Sequence, residues 1–162
     1  MNAARALWTA AWLVVLVLLH FTLRPLLGWR VQPDFLVIAL LLISVRSRPA
    51  IAAFCGFAIG VVTDSLTPGT FGAGALAMTL VGFASSWLKS VFFTENLALN
   101  GLFVLLGKWA FDLVYVVAER RLGGTDLLAQ LFWWSPLSAI LTAAVGVGVL
   151  VVSRVPEPRH RR

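Results

Sequence analysis

The residues of this sequence that could carry chemistry are ionisable side chains within or beside long apolar stretches. They are Asp34, Asp64, Lys108 and Asp112, together with His20 and Glu119 nearer the ends of such stretches. An ionisable side chain at the centre of a membrane-spanning helix costs roughly 2.5 to 3.5 kcal/mol on insertion scales. If the apolar stretches cross a membrane, each of these side chains therefore needs a partner, water or a ligand.

The polar residues form none of the usual catalytic patterns. The two histidines, His20 and His160, lie at opposite ends of the chain, and we find no arrangement of serine, histidine and acid for nucleophilic catalysis. Residues 107–109, Gly-Lys-Trp, lack the glycine-rich loop and the Ser or Thr of a phosphate-binding loop. Cys55 is the single cysteine, so neither a disulfide framework nor a cysteine-based metal site can form. The sequence predicts no enzymatic activity, no cofactor and no metal.

Asp34 precedes one apolar stretch and Asp64 ends the next, so an antiparallel helix pair would bring both carboxylates to the same membrane face. There they could be neighbours. In one interpretation Asp34 caps its helix, where the helix dipole favours a carboxylate, and Asp64 reaches interfacial water or pairs with Arg24 or Arg30. The alternative is a binding role for Asp64. A two-aspartate protease is disfavoured, because Val-Val-Thr at 61–63 replaces the glycine such enzymes carry near their second aspartate.

A second polar group lies in the fifth apolar stretch. Its members, spaced four, three and four residues apart, are Lys108, Asp112, Tyr115 and Glu119. This spacing places them on one helical face, which should be directed to the bundle interior or to a partner rather than to lipid. Two interpretations remain open: an internally neutralised Lys108 and Asp112 pair with Glu119 and Arg120 at the membrane boundary, or a contact with a partner protein.

Gly56 and Gly60 form a small-xxx-small pattern in the third apolar stretch. Because nothing protrudes from a glycine, such a face lets two helix backbones approach closely. The pattern predicts tight packing of this helix, either within the bundle or against another protein.

Composition requires a membrane around these residues. Of the 162 residues, 60% are hydrophobic and only 12% are charged, which is too apolar for an ordinary soluble domain. A span needs roughly 20 apolar residues. We predict an all-α domain over residues 1–153 with six transmembrane helices, at about 6–23, 34–45, 49–64, 71–88, 97–118 and 136–152.

Three details of these spans can be tested by the structure. The second span is short, which implies local thinning of the bilayer, snorkelling of its flanking residues or shielding by neighbouring helices. Thr94 is the expected cap of the fifth helix. Residues 127–134 are expected at the membrane interface, where Trp133 and Trp134 suit an aromatic belt.

The net charge of +6 is better explained by topology and lipid contact than by nucleic acid, because the arginines lie between apolar runs and at the carboxyl end. Counting Lys and Arg on the two sides of a six-span arrangement gives eight on the side of both termini and four on the other. Both termini are therefore predicted to be cytoplasmic. The basic tail 154–162 is predicted to bind anionic lipid headgroups, and contact with a cytoplasmic partner is the alternative.

The order and spacing of several motifs resemble those of MreD, the rod shape-determining membrane protein family of bacteria. The motifs are Pro-Asp-Phe-Leu at 33–36, Gly-Phe-Ala-Ile-Gly-Val-Val-Thr-Asp at 56–64 and Gly-Thr-Phe-Gly at 69–72, and the likeness extends over nearly the whole chain. Gly56, Gly60 and Asp64 match the second-hairpin motif of the family, and Asp34 matches its Pro-Asp start.

The resemblance implies a non-enzymatic scaffold subunit of the cell-elongation complex for peptidoglycan synthesis in the bacterial inner membrane. It implies binding to MreC and, through MreC, a connection to MreB, RodA and the transpeptidase partner of RodA. It also implies an architecture similar to the substrate-binding subunits of energy-coupling-factor transporters. The alternative function is a small-solute-binding subunit of a transporter, in which glycines near Asp64 line an outward pocket.

Overall fold

The computed structural model describes residues 11–12, 14–22, 32–66, 71–92, 96–119 and 130–153, all helical apart from short connections and without a strand among them. We number the helices α1 to α6 in chain order: α1 (14–22), α2 (Phe35–Arg46), α3 (Pro49–Leu66), α4 (Ala73–Phe92), α5 (Leu97–Glu119) and α6 (Ser135–Ser153). The start of the predicted first span and the basic tail lie outside the described residues.

Helix α2 forms the centre of the bundle. Every residue from Phe35 to Leu42 is at most 8% exposed, and α2 packs against α3, α4, α5 and α6. A helix that is apolar all round is expected to be buried in this way. With 12 residues it is about 18 Å long, which is less than the hydrocarbon core of about 30 Å. Shielding by neighbouring helices, one of the three explanations considered for its shortness, is therefore the arrangement in the structure.

Helices α3 and α4 make the most extensive contact of the fold, and small residues bring their backbones together. The buried residues of α3 recur at every fourth position and are Ala52, Gly56, Gly60 and Asp64. A Cβ atom on Gly56 would lie 2.7 Å from the carbonyl carbon of Met78, and one on Gly60 would lie 2.6 Å from the amide nitrogen of Ala75. The predicted small-residue face thus packs inside the protein, against α4.

The tight turn between α2 and α3 is fastened to the end of α4. The carbonyl oxygen of Ser47 accepts hydrogen bonds from the Ser86 hydroxyl at 2.7 Å and from the Lys89 ammonium at 2.6 Å. Lys89 therefore lies at the same end of the bundle as Arg46 and Arg48, as the charge count assumed. We call this end the basic end and the opposite end, where α3 finishes and α4 begins, the acidic end.

Two local predictions concern the starts of α5 and α6. Helix α5 is capped by Asn96, whose Oδ1 accepts a hydrogen bond from the Ala98 amide at 2.9 Å; the predicted cap Thr94 lies outside the described residues. Residues Gln130–Trp134 form a π-helical turn that continues directly into α6. The ring nitrogen of Trp109 donates to the Leu131 carbonyl at 3.4 Å, which ties this turn to α5.

The outer surface of the described bundle is strongly apolar. Among the residues that the structure describes, three helical segments are long and apolar enough to cross a membrane: Pro49–Leu66, Leu97–Glu119 and Gln130–Val151. Large apolar side chains project from the bundle, and Phe54, Trp87 and Trp133 are each more than 70% exposed. Such a surface is suited to lipid rather than water.

Candidate functional site

Asp34 connects four helices near the acidic end. It precedes α2, and its Oδ1 accepts a hydrogen bond from the Val37 amide at 3.4 Å, so it caps the helix as one interpretation of the sequence proposed. Its own amide donates to the Thr142 hydroxyl of α6 at 3.1 Å. Its Oδ2 lies 3.3 Å from Lys108 Nζ of α5, and its Oδ1 lies 3.7 Å from His20 Nδ1 of α1.

Lys108 provides the central positive charge of this network. It stands eleven residues from each end of α5, roughly 16 Å along the helix, and is only 5% exposed. Its ammonium group pairs with both Asp34 and Asp112, and it lies 5.0 Å from the centre of the Phe111 ring. Two carboxylates thus share one ammonium at mid-helix depth, where removal from water makes such pairs energetically critical.

The polar face predicted for α5 is directed inward. Lys108, Asp112, Tyr115 and Glu119 all line one cavity at the acidic end, and the Tyr115 ring stacks on Phe111 with centroids 5.7 Å apart. Lys108 and Asp112 form the ion pair that their spacing suggested. The face therefore belongs to the bundle interior, and a contact with a partner would have to be made through the mouth of the cavity.

Asp64 has a role that the sequence analysis missed. Its Oδ2 accepts hydrogen bonds from the amides of Gly72 at 2.8 Å and Ala75 at 3.0 Å, so it caps the start of α4. Gly74 leaves room for this carboxylate, because a Cβ atom at position 74 would overlap Asp64 Oδ1 and force that side chain to shift. Asp64 is 5% exposed, and interfacial water is therefore not its main partner. Arg24 and Arg30, the other proposed partners, lie outside the described residues.

The cavity that collects these residues has a volume of about 920 Å³. Its polar lining residues include all the carboxylates of the described part of the chain: Asp34, Asp64, Asp112 and Glu119. Its apolar and aromatic walls include Phe21, Leu36, Met78, Phe111, Val116 and Trp134. Asp34 and Asp64 face the same space from different helices, although each is held by a different partner.

Helix α6 supplies hydroxyl groups that sequence reasoning did not single out. Thr142 accepts the hydrogen bond from Asp34, and the Ser138 hydroxyl donates to the Gln32 carbonyl at 2.9 Å. Ser135 and Ser138 also line the cavity. The spacing of these three residues by three and four positions places them on one helical face, and this was the signal in the sequence that could have found them.

The described side chains offer no metal centre. Within residues 11–12, 14–22, 32–66, 71–92, 96–119 and 130–153, no group of three or more His, Cys, Asp and Glu residues lies close enough to hold a metal ion. Asp34, Asp64 and Asp112 are each engaged by the Lys108 ammonium group or by backbone amides. The arrangement is therefore suited to binding and to fixing helices in place.

These observations define an all-helical membrane protein with a buried central helix and an ion-pair network beside an interior cavity. A family model described as rod shape-determining protein MreD matches residues 3–152. The chain belongs to the MreD family, which confirms the resemblance noted in the sequence and connects the protein with the determination of cell shape. No curated protein and no solved structure gave a match.

Proposed function

We propose that this protein is a non-catalytic scaffold subunit of the bacterial cell-elongation complex that binds MreC and, through it, connects MreB with RodA and its transpeptidase partner. The family match over residues 3–152 is the observation that carries this proposal, because the family is defined by rod shape determination. Membership in that family implies assembly with the other shape-determining proteins.

The distribution of polar and apolar groups supports a role in assembly. The buried ammonium group of Lys108 pairs with the carboxylates of Asp34 and Asp112, and the carboxylate of Asp64 caps the start of α4. What the bundle offers to other membrane proteins is a rigid, aromatic-rich outer surface, on which association depends on helix packing. Gly56 and Gly60 support this role indirectly, because they hold α3 against α4 rather than against a partner.

We also propose a location in the inner membrane with both termini cytoplasmic, so that the basic end faces the cytoplasm and the acidic end faces outward. The excess of Lys and Arg assigned to the basic end supports this orientation. The tail 154–162 would then lie against anionic headgroups. The proposed likeness to substrate-binding subunits of energy-coupling-factor transporters is supported by the number of helices, six. A reporter fused after Arg162 that is accessible only from outside the cell would contradict the orientation.

The role can be tested by depletion and by co-purification. Loss of the protein from a rod-shaped host should give round cells, and purification in mild detergent should recover MreC in stoichiometric yield. A variant with Gly148→Ala is the matched control, because a Cβ atom there meets nothing within 4 Å and binding should be retained. Normal rods after depletion, together with no recovery of MreC, would contradict the proposal.

A transporter subunit that binds a small solute is the second candidate function, and the cavity of about 920 Å³ is the observation that favours it. Sites for small ligands commonly have volumes of roughly 300 to 1,000 Å³. This function predicts rods of normal width and a lost solute uptake after depletion. Round cells with unchanged uptake would contradict it.

A further inference from the structure

We infer that a groove between α4 and α5, open to the outer surface, binds one membrane-spanning helix of a partner protein, which presents a hydrogen-bond acceptor to Ser85. The groove has a volume of about 380 Å³. It is separate from the cavity at the acidic end, because the two share no described lining residue. This contact deepens the proposed scaffold function, on which it rests, by naming the surface used and the kind of partner that fits it.

Small residues on both helices form the groove. Ala84 and Ser85 of α4 and Gly107 and Ala110 of α5 lie along it. The other lining residues are larger and apolar or aromatic: Leu80, Val81, Leu88, Phe103, Leu106, Trp109 and Val114. On α5 the lining extends over residues 103–114, which is roughly 16 Å or about three helical turns. A groove of this length between two helices can accept a ridge of side chains from a third helix.

The walls of the groove are held in place by the rest of the bundle. Gly107 leaves room for Leu41 of the central helix α2, whose two Cδ atoms would lie 2.9 Å from a Cβ atom at position 107. The ring nitrogen of Trp109 donates a hydrogen bond to the Leu131 carbonyl at 3.4 Å. The groove is therefore preformed, and a partner can bind without first ordering these side chains.

Ser85 indicates what the groove binds. It is only 6% exposed, and its hydroxyl forms no hydrogen bond with any residue that the structure describes. By contrast, the hydroxyls of Ser44, Thr79 and Thr142 each donate to the carbonyl four residues earlier in their own helices. The core of a bilayer supplies no water to a buried hydroxyl, so a missing partner costs free energy. An acceptor on the bound molecule would recover that free energy.

The position of this donor favours a protein helix over a lipid chain. Ser85 lies seven residues, roughly 10 Å, before the end of α4 at Phe92. An acyl chain has its oxygen atoms at the interface and none at this depth. A helix carries a carbonyl oxygen at every residue, with a second lone pair that can accept from a hydroxyl. Where the partner helix has glycine or alanine, its backbone can approach closely enough for this bond.

The shape of the groove disfavours a second copy of this chain as the partner. In a two-fold contact the same surface of both copies would meet. A concave surface would then lie against an identical concave surface, and neither groove would be filled. The partner must instead present a convex apolar ridge.

Photo-crosslinking in the membrane tests the contact. Benzoylphenylalanine replaces Ala84 or Ala110, two exposed lining residues, in the full chain and in a strain that lacks the unmodified protein. Ala144, an exposed residue of α6, is the control position. Mass spectrometry identifies the crosslinked molecules and peptides. Both groove positions should crosslink to a membrane-spanning segment of the same partner protein, and the control position should not crosslink to that segment.

Two substitutions connect the crosslink with the groove. Ser85→Ala removes only the donor and should lower the crosslinking yield from position 110 roughly threefold, because a hydrogen bond between membrane helices contributes about 0.6 kcal/mol on average. Ala84→Phe fills the groove and should abolish that crosslink, whereas Ala144→Phe, the same change elsewhere on the surface, should leave it unchanged. Each variant is first shown to be monodisperse in detergent, so that misfolding is not mistaken for a lost contact.

Several results would overturn the inference. They are crosslinks from positions 84 and 110 to lipid, to a second copy or to other segments of the same chain, no crosslink from either position, or an unchanged yield in Ser85→Ala. Recovery of MreC from the same cells separates this outcome from failure of the scaffold function. Stoichiometric MreC with only lipid crosslinks would overturn the groove contact alone. A partner helix crosslinked at the groove without recovery of MreC would support the groove contact and contradict MreC as the partner.

Discussion

Two regions hold helices together by opposite means. One is the close contact between α3 and α4, which we call the seam, and the other is the network of polar side chains around Lys108. In the seam, glycine and alanine remove side chains so that backbone lies against backbone, as where a Cβ on Gly82 would come 2.6 Å from the Ala52 carbonyl oxygen. In the network, long polar side chains span the gaps between α1, α2, α5 and α6. The seam leaves no space, whereas the network borders a cavity of about 920 Å³.

The comparison shows that the residues suggested by the sequence hold the helices together in two physically different ways. Replacing a glycine of the seam by a larger residue is destabilising, because the added side chain would overlap backbone atoms of the facing helix, which cannot move aside. A polar network fails when one member is removed, because the remaining charge stays buried without compensation. The difference separates Gly56 and Gly60, which are buried against α4, from Lys108 and Asp112, which pair with each other and also line the cavity.

The largest effect is expected from adding volume to the seam. Gly56→Val should prevent folding, because its Cβ atom would overlap the Met78 carbonyl group. Overpacking in ordinary cores costs about 1 to 3 kcal/mol, and a clash with backbone should exceed that range. The measurement is the yield of monodisperse protein in detergent. Gly148→Ala is the control and should express and melt like the unmodified chain; a well-folded Gly56→Val protein would show that the seam is not closely packed.

A smaller but still large effect is expected from removing the shared positive charge. Lys108→Met keeps the length of the side chain but leaves Asp34 and Asp112 buried without their ammonium group. Breaking a buried pair from one side typically costs about 3 to 5 kcal/mol. Thermal unfolding in detergent should show a marked fall in the midpoint.

The matched substitution sharpens this result. Asp112→Asn leaves Lys108 paired with Asp34 alone and should cost clearly less than Lys108→Met in the same thermal assay. Equal losses for the two variants would mean that hydrogen bonding, rather than the balance of charge, determines the stability of the network.

The smallest effect is expected from substitution of Asp64. This residue lies in the contact between α3 and α4 and also lines the cavity. Asp64→Ala should lower stability by about 0.5 to 2 kcal/mol, because the amides of Gly72 and Ala75 lose their cap. Asp64→Asn should retain most of that stability, since an amide oxygen can still accept these bonds. Ser65→Ala, which removes an exposed hydroxyl that donates to the Val61 carbonyl of its own helix, is the control in the thermal assay. An unchanged midpoint for Asp64→Ala would show that the cap contributes nothing.

Patterns that depend on neighbouring positions of one helix were readable in the sequence. The inward face of α5, the pair of Lys108 and Asp112 and the cap at Asp34 follow from periods of three and four residues and from the helix dipole. The membrane itself followed from composition, because so apolar a chain has no other solvent. These features are local or additive, so no knowledge of the folded arrangement was needed to propose them.

Only the tertiary structure decided which distant residues meet. That Asp64 caps α4, that Gly56 and Gly60 pack against α4 rather than another protein, and that Thr142 reaches Asp34 are contacts across 8 to 108 positions of the chain. A sequence lists the groups that can bond, but several partners satisfy each group equally well. The choice among these partners depends on how the helices pack around α2.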